Sequence, residues 1–436
     1  MQAQNKQALR RRVTRPFTVA VAAAAASCCA WADEPNPYYI GVTQSFTHDT
    51  NVYSTPGGPG DNYSSTGLTG GFDQAIGRQH VYAHATVRYN KYRSETALDN
   101  TSYGVAAGWD WATIEQLSGS LTATANQGLA TTGGNGTAPT TERNLVKTDQ
   151  LGATARWGGA GAFSIDGSYA HSRVSYSSAA YFASQSSGDS ASVGAFYRPV
   201  PDIRLGSAVR FSRTVSPYGI VVATTPVLEY APNTSTGRNI DLIGDWSVTP
   251  QSGIDARLSW THQSNSAAGA LDFSGLTGAL SARYAPTGKL TFRASAGRDA
   301  GTNATFFNVP IAASTTTTTT TPTTTSTSVE ALSQNSQTTN VYSLNAGYAA
   351  TAKISVNANA TYTHAKLVNT VALSGASTTT EANDNTRYYS LGVDYAVARN
   401  WQLGCRAAHS VRTVSGATGY GYWGNSMSCS AQFTLR

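Results

Sequence analysis

Beyond Pro35-Asn36-Pro37 the chain runs in short stretches where apolar and polar residues alternate one by one. A period of two marks strands whose two faces meet different surroundings. Ile240, Leu242, Gly244 and Trp246 interleave with Asn239, Asp241, Ile243 and Asp245; Ile254, Ala256, Leu258 and Trp260 interleave with Asp255, Arg257, Ser259 and Thr261. Ile354, Val356, Ala358, Ala360 and Tyr362 alternate in the same way with Lys353, Ser355, Asn357, Asn359 and Thr361. A soluble sandwich would show this pattern too, so the connections have to decide.

Eight short turns fall near Arg78, Thr113, Gly159, Val200, Pro250, Pro286, Ala350 and Arg399, at intervals of 35 to 64 residues. Seven have an aromatic a few residues upstream: Trp111, Trp157, Tyr197, Trp246, Tyr284, Tyr348 and Tyr395. Between the turns lie longer connections rich in Gly, Ser, Thr and Asn. Tight turns that alternate with long loops, with aromatics gathered on the turn side, are the plan of a transmembrane barrel rather than of a sandwich. Eight turns and nine loops predict an all-β, single-chain antiparallel β-barrel of 18 strands, with 16 as the alternative if the 216–236 and 413–419 loops are not separate connections. An even count returns both termini to the periplasm. Sixteen to eighteen strands leave room for an aqueous lumen. The longest connection is expected at about 300–338, around the tract Thr315–Thr321 and Thr323–Thr325. Such a tract buries no apolar surface. It reads as a solvated external loop, the alternatives being an inward constriction or a glycan-bearing surface.

Composition narrows the picture. Only 12% of the 436 residues are charged, against about 25% in an ordinary soluble domain. With 23 Tyr and frequent β-branched residues, long disorder is excluded. No run beyond residue 32 approaches the ~18 apolar residues of a helical span. The net charge of +6 is set by the first 32 residues, where Lys6, Arg10, Arg11, Arg12 and Arg15 stand without an acid. The remainder holds 25 basic and 24 acidic residues, so the charge gives no support for a nucleic-acid partner.

Residues 1–32 have the parts of a secretory signal: the basic stretch to Arg15, an apolar run from Phe17 through the alanines 22–26, and Ala30 and Ala32 at the positions a signal peptidase reads. The mature chain is expected to begin at Asp33 and to form the barrel over 33–436. Cys28 or Cys29 as a lipidation site, and Arg11-Arg12 as a twin-arginine signal, are the weaker readings.

Strand parity assigns faces, the apolar one to lipid and the polar one to water. The polar face is expected to carry Arg88, Arg156, Arg204, Arg210, Arg257, Arg283, Arg293, Arg406 and Arg412, against Asp110, Asp166, Asp255, Asp299 and Asp394. Inward arginines favour anions and suit carboxylates of acidic sugars; the competing reading is that they pair across the lumen and stiffen the wall. His48, His171, His262, His364 and His409 fall toward the external strand ends, the last four on the outward parity. Only His48-Asp49 suggests a hydrolytic pair, and no spacing suggests a metal or another cofactor. Cys405 and Cys429 are the cysteines left after cleavage, and they flank the last hairpin in a register that also pairs Trp401 with Phe433. They are a disulfide candidate in an oxidising periplasm; two free thiols facing lipid are the alternative.

The opening strand, Gly41-Val42-Thr43-Gln44-Ser45-Phe46-Thr47-His48-Asp49-Thr50-Asn51-Val52-Tyr53, is followed by hairpins such as Gly194-Ala195-Phe196-Tyr197 and Gly392-Val393-Asp394-Tyr395. It resembles the β-barrel porin family that includes outer-membrane proteins of exopolysaccharide operons (EpsL-type). The resemblance implies an outer-membrane pore through which an exported polysaccharide leaves, and it brings no catalytic residues. The sequence therefore predicts a Gram-negative outer-membrane conduit with a mildly basic lumen, for anionic solute or exopolysaccharide. Its expected partners are outer-membrane lipid and lipopolysaccharide, the barrel-assembly machinery, and polysaccharide or export components. The second reading is a plugged structural barrel whose loops mediate surface interaction, and the third is a barrel-embedded hydrolase.

Overall fold

The computed structural model describes residues 36–130, 142–158, 161–224, 227–266, 272–310, 328–373, 376–415 and 420–435. The expected signal, with Ala30 and Ala32, lies outside them, as does the Thr tract. Pro37–Arg436 forms one compact unit. The first six strands are β1 (Tyr38–Asp49), β2 (Asp61–Ile76), β3 (Gln79–Tyr92), β4 (Asn100–Ala112), β5 (Leu117–Leu129) and β6 (Leu145–Trp157). Then come β7 (Phe163–Tyr176), β8 (Ser186–Val200), β9 (Ile203–Thr224), β10 (Val227–Thr249), β11 (Ser252–Asn265) and β12 (Phe273–Thr287). The last six are β13 (Leu290–Pro310), β14 (Ser328–Ala349), β15 (Ile354–Leu373), β16 (Ala376–Ala398), β17 (Trp401–Ser415) and β18 (Tyr422–Leu435). Each strand pairs antiparallel with the next, and β18 pairs with β1, so the sheet closes into an 18-stranded barrel without a free edge. No helix among the described residues is long and apolar enough to cross a membrane.

All eight turns fall at the predicted places. Gly77 adopts φ 61° in the two-residue turn from β2 to β3, a conformation that such tight hairpins require and L side chains resist. Register shifts follow Tyr197, Trp246 and Tyr284 within three residues, so these strands twist just beyond the aromatic position. The aromatics above the turns share the outward face: Tyr38 packs on Phe72 at 5.2 Å, Phe163 on Tyr197 at 4.8 Å and Trp401 on Phe433 at 5.0 Å. They form one girdle at the turn end.

Two long connections are narrower than the sequence predicts. The pairing of β9 with β10 continues to Thr224 and Val227, within the expected 216–236 loop. That of β13 with β14 continues to Pro310 and Ser328, within the expected 300–338 loop. Thr, Val, Tyr and Phe in these segments suit a ladder, but above the membrane no apolar face is needed, so the alternation that reveals a strand is missing.

At the opposite end the loop residues 50–60 knit the seam. Asp49 Oδ1 accepts the Asn51 amide at 2.8 Å, and Asn51 Nδ2 donates to the carbonyls of Thr55 and Trp423 at 2.7 and 3.0 Å. Tyr53 is buried with Tyr92 and Leu98 and donates to Glu95 Oε2 at 2.7 Å. Burial, then the hydrogen bond and charge of Glu95, push its phenol up to about 12. Asp61 accepts the amides of Ser94 and Glu95 at 2.9 Å. The His-Asp-Thr-Asn-Val-Tyr segment thus clasps β1, β18 and the 93–99 loop together.

Candidate functional site

On β10, Ile240, Leu242 and Trp246 are exposed on the outer face, and Asn239, Asp241 and Asp245 point the other way. Carrying this parity through the register places all nine candidate arginines on the inner face. The inner wall divides into two parts.

Over β6 to β10 the candidate arginines are ion-paired. Asp166 accepts Arg156 Nη2 at 2.8 Å and Arg204 Nη2 at 2.6 Å, and Arg204 Nη1 reaches Asp245 at 3.3 Å. The Arg204 guanidinium also lies 3.7 Å over the Phe196 ring. Arg210 forks onto Asp241, Nε and Nη2 donating at 3.0 and 3.2 Å. Near the long-loop mouth, Arg412 makes the same fork with Asp384, at 3.0 and 2.6 Å. Arg156, Arg204, Arg210 and Arg412 are thus ion-paired, the arrangement that the wall-stiffening reading requires. Three of the acids that do this, Asp241, Asp245 and Asp384, are missing from the five aspartates derived from sequence. Asp241 and Asp245 were visible, since they stand in phase with Asn239, opposite to Ile240.

Over β11 to β16 and on the lower half of β17 the candidate arginines stay unpaired, although Asp255, Asp299 and Asp394 share the inward parity. Arg257, Arg283, Arg293 and Arg406, with Arg88 on β3, have no carboxylate partner within ion-pair distance among the described residues. Arg283 and Arg293 are directly opposed in register. They line an open cavity of about 760 Å³ together with Arg406, Asn345, Asn357, Asn359 and Tyr388. Asn359 Nδ2 donates to Asn345 Oδ1 at 2.6 Å, and Asn357 Nδ2 to Asp394 at 3.1 Å. Guanidiniums fork onto carboxylate, sulfate or phosphate, and amides and a phenol pair with hydroxyls. The amide and tyrosine contribution carried no signal in sequence, because Asn and Tyr are frequent along the whole chain.

His48 and Asp49 are separated by the pleat. His48 faces outward, its Nδ1 2.9 Å from Asn62 Oδ1, whereas Asp49 faces inward and holds the Asn51 amide. Strand alternation sends neighbours to opposite faces, so this dipeptide assembles no acid–base pair. Among the described residues no group of three His, Cys, Asp or Glu side chains is arranged to hold a metal. Cys405 and Cys429 are directly opposed on the outer face of β17 and β18, with Cα atoms 4.1 Å apart, and are disulfide-bonded.

No family model matches the chain, and no curated protein matches it either. Solved structures similar to it include OccAB3 of Acinetobacter baumannii, at 12% identity and TM-score 0.44, covering 91% of this chain and 99% of that one. OccK3 (OpdO) of Pseudomonas aeruginosa is similar at 11% identity and TM-score 0.41, covering 91% and 95%. A mutant ferric enterobactin receptor of Pseudomonas aeruginosa follows at 9% identity and TM-score 0.40, covering 91% and 80%. At these scores the likeness carries no weight of its own, and the fold rests on the closed strand pairing.

Proposed function

We propose that the chain is an outer-membrane conduit that passes anionic solutes along one basic wall of its lumen. The observation that carries this reading is the division of the inner arginines. Arg156, Arg204 and Arg210 on β6 to β10 are spent on aspartates, while Arg283, Arg293 and Arg406 are left facing a cavity beside three asparagines. Outward apolar strands closed into a ring, with an aromatic girdle at the tight-turn end, supply the membrane setting. Arginine rings select anions in pores. The neighbouring amides and Tyr388 add partners for hydroxyls, so an acidic polysaccharide chain is the favoured cargo.

The test is single-channel recording of the refolded protein in a planar bilayer under a salt gradient. The reversal potential is expected to show anion preference. It should move toward zero in the Arg283→Gln, Arg293→Gln, Arg406→Gln triple variant, and acidic polysaccharide should block the parent more strongly than the variant. An unmoved reversal potential in a folded, conducting variant would overturn the reading.

A further inference from the structure

On the outer face the apolar alternation ends in basic residues at one height. Lys147 stands ten residues above Trp157 on β6, and Arg173 ten above Phe163 on β7. Arg238 stands eight above Trp246 on β10, and Arg387 eight above Tyr395 on β16. Eight to ten residues at about 3.3 Å each, on strands tilted by about 40°, rise roughly 20–25 Å along the barrel axis. That is the height of the apolar band, so these side chains stand at the external headgroup level. Arg213 on β9, Arg298 on β13 and Lys91 on β3 complete the belt on the same parity, and all seven are exposed.

Among the described residues two carboxylates share the belt, Asp149 opposite Arg173 and Asp189 opposite Arg213 in register, and each is bonded to another side chain. Asp149 holds Lys147 at 3.2 Å, and Asp189 holds His171 at 2.8 Å and the Tyr169 hydroxyl at 2.7 Å. Arg173, Arg213, Arg238 and Arg298 have no carboxylate within ion-pair distance among the described residues. Seven cations against two acids is a large local excess in a chain that, after residue 32, holds 25 basic and 24 acidic residues. Directly beneath the cations lies apolar surface: Phe211 under Arg213 and Ile240 under Arg238, both largely exposed. A belt that encircles the wall is matched by many copies of a small amphiphile, with phosphates at the belt and acyl chains below.

We propose that this belt binds the phosphate groups of lipopolysaccharide in the surrounding outer leaflet. The inference rests on the outer-membrane reading above, but it uses none of the lumen residues.

The test compares the refolded protein with the Arg173→Gln, Arg213→Gln, Arg238→Gln, Arg298→Gln variant, each incubated in detergent with phosphorylated lipid A or the same lipid stripped of phosphate. Lipid that co-elutes on size exclusion is measured. The parent should retain the phosphorylated lipid, and the variant roughly tenfold less or lower, with little retention of the stripped lipid by either. Equal retention by parent and variant, equal retention of the two lipids, or full displacement by phosphatidylglycerol would overturn the proposal. The two double variants, Arg173→Gln with Arg213→Gln and Arg238→Gln with Arg298→Gln, give graded losses if the quadruple variant does not fold. Planar-bilayer conductance of the same samples separates the two readings. A belt variant that conducts normally but loses lipid supports the belt, whereas a parent that retains lipid without conducting counts against the conduit alone.

Discussion

Arg283 on β12 and Arg293 on β13 stand directly opposite each other on the inner wall, with no carboxylate bound to either among the described residues. Like charges placed across a ladder destabilise it, by about 0.2–1 kcal/mol for opposed pairs in general. A barrel built only for rigidity would gain by changing one of them. Arg283→Gln is therefore expected to keep or slightly raise the urea midpoint while lowering anion preference. A fall in both would assign the pair to the scaffold instead.

Asp166 predicts the opposite signs. It is shared by Arg156 and Arg204, and Arg204 is the more buried of the two. Asp166→Asn removes the shared negative charge and leaves the buried Arg204 guanidinium with Asp245 alone, at a cost of about 1–3 kcal/mol. Urea unfolding should report that loss. The freed positive charge should also increase anion preference in the bilayer, so the lumen's paired and unpaired walls are distinguished by the sign of the selectivity change.

These two cases show where sequence and structure part. The eight turns were legible because each must reverse the chain in a few residues, and seven carry Trp or Tyr at the interface above them. The inward parity of the arginines was legible because lipid forces a strict alternation on the strands between. Beyond the membrane that constraint stops. The upper parts of β9, β10, β13 and β14 therefore read as loop, and Asp384, paired with Arg412 at the mouth, had no apolar neighbour to set its phase. Which arginines are neutralised depends on register across strands far apart in sequence: Arg204 is 38 residues from Asp166 and 41 from Asp245. Single-strand parity gives a residue's face but not its partner.

The Cys405–Cys429 bond ties the last two strands at a sequence separation of 24. Closing a loop of that length constrains the unfolded chain by about 3 kcal/mol in the chain-entropy description. The Cys405→Ala, Cys429→Ala double variant should unfold at lower urea, while conductance stays that of the parent, because both positions face away from the lumen. Non-reducing peptide mapping that finds both thiols free would remove the basis for the difference.

The clasp at the long-loop end supplies a pH test. The Tyr53 phenol ordinarily loses its proton near 10.0 and holds it to about 12 in the folded loop, through burial first and then through Glu95. The protonated, neutral form is the one the fold favours. Its contribution is complete below pH 10 and is lost as pH rises through 12, because the opened loop gives up its proton first. Over that window the 50–60 loop is expected to become a substrate for a protease active in alkali. Tyr53→Phe cannot ionise, so it should show no such opening between pH 10 and 12. At neutral pH the same variant should be looser by about 0.5–1.5 kcal/mol for the lost hydrogen bond to Glu95. Identical alkaline cleavage profiles for the two proteins would show that the clasp is held by Asn51 and Asp61 without help from the phenol.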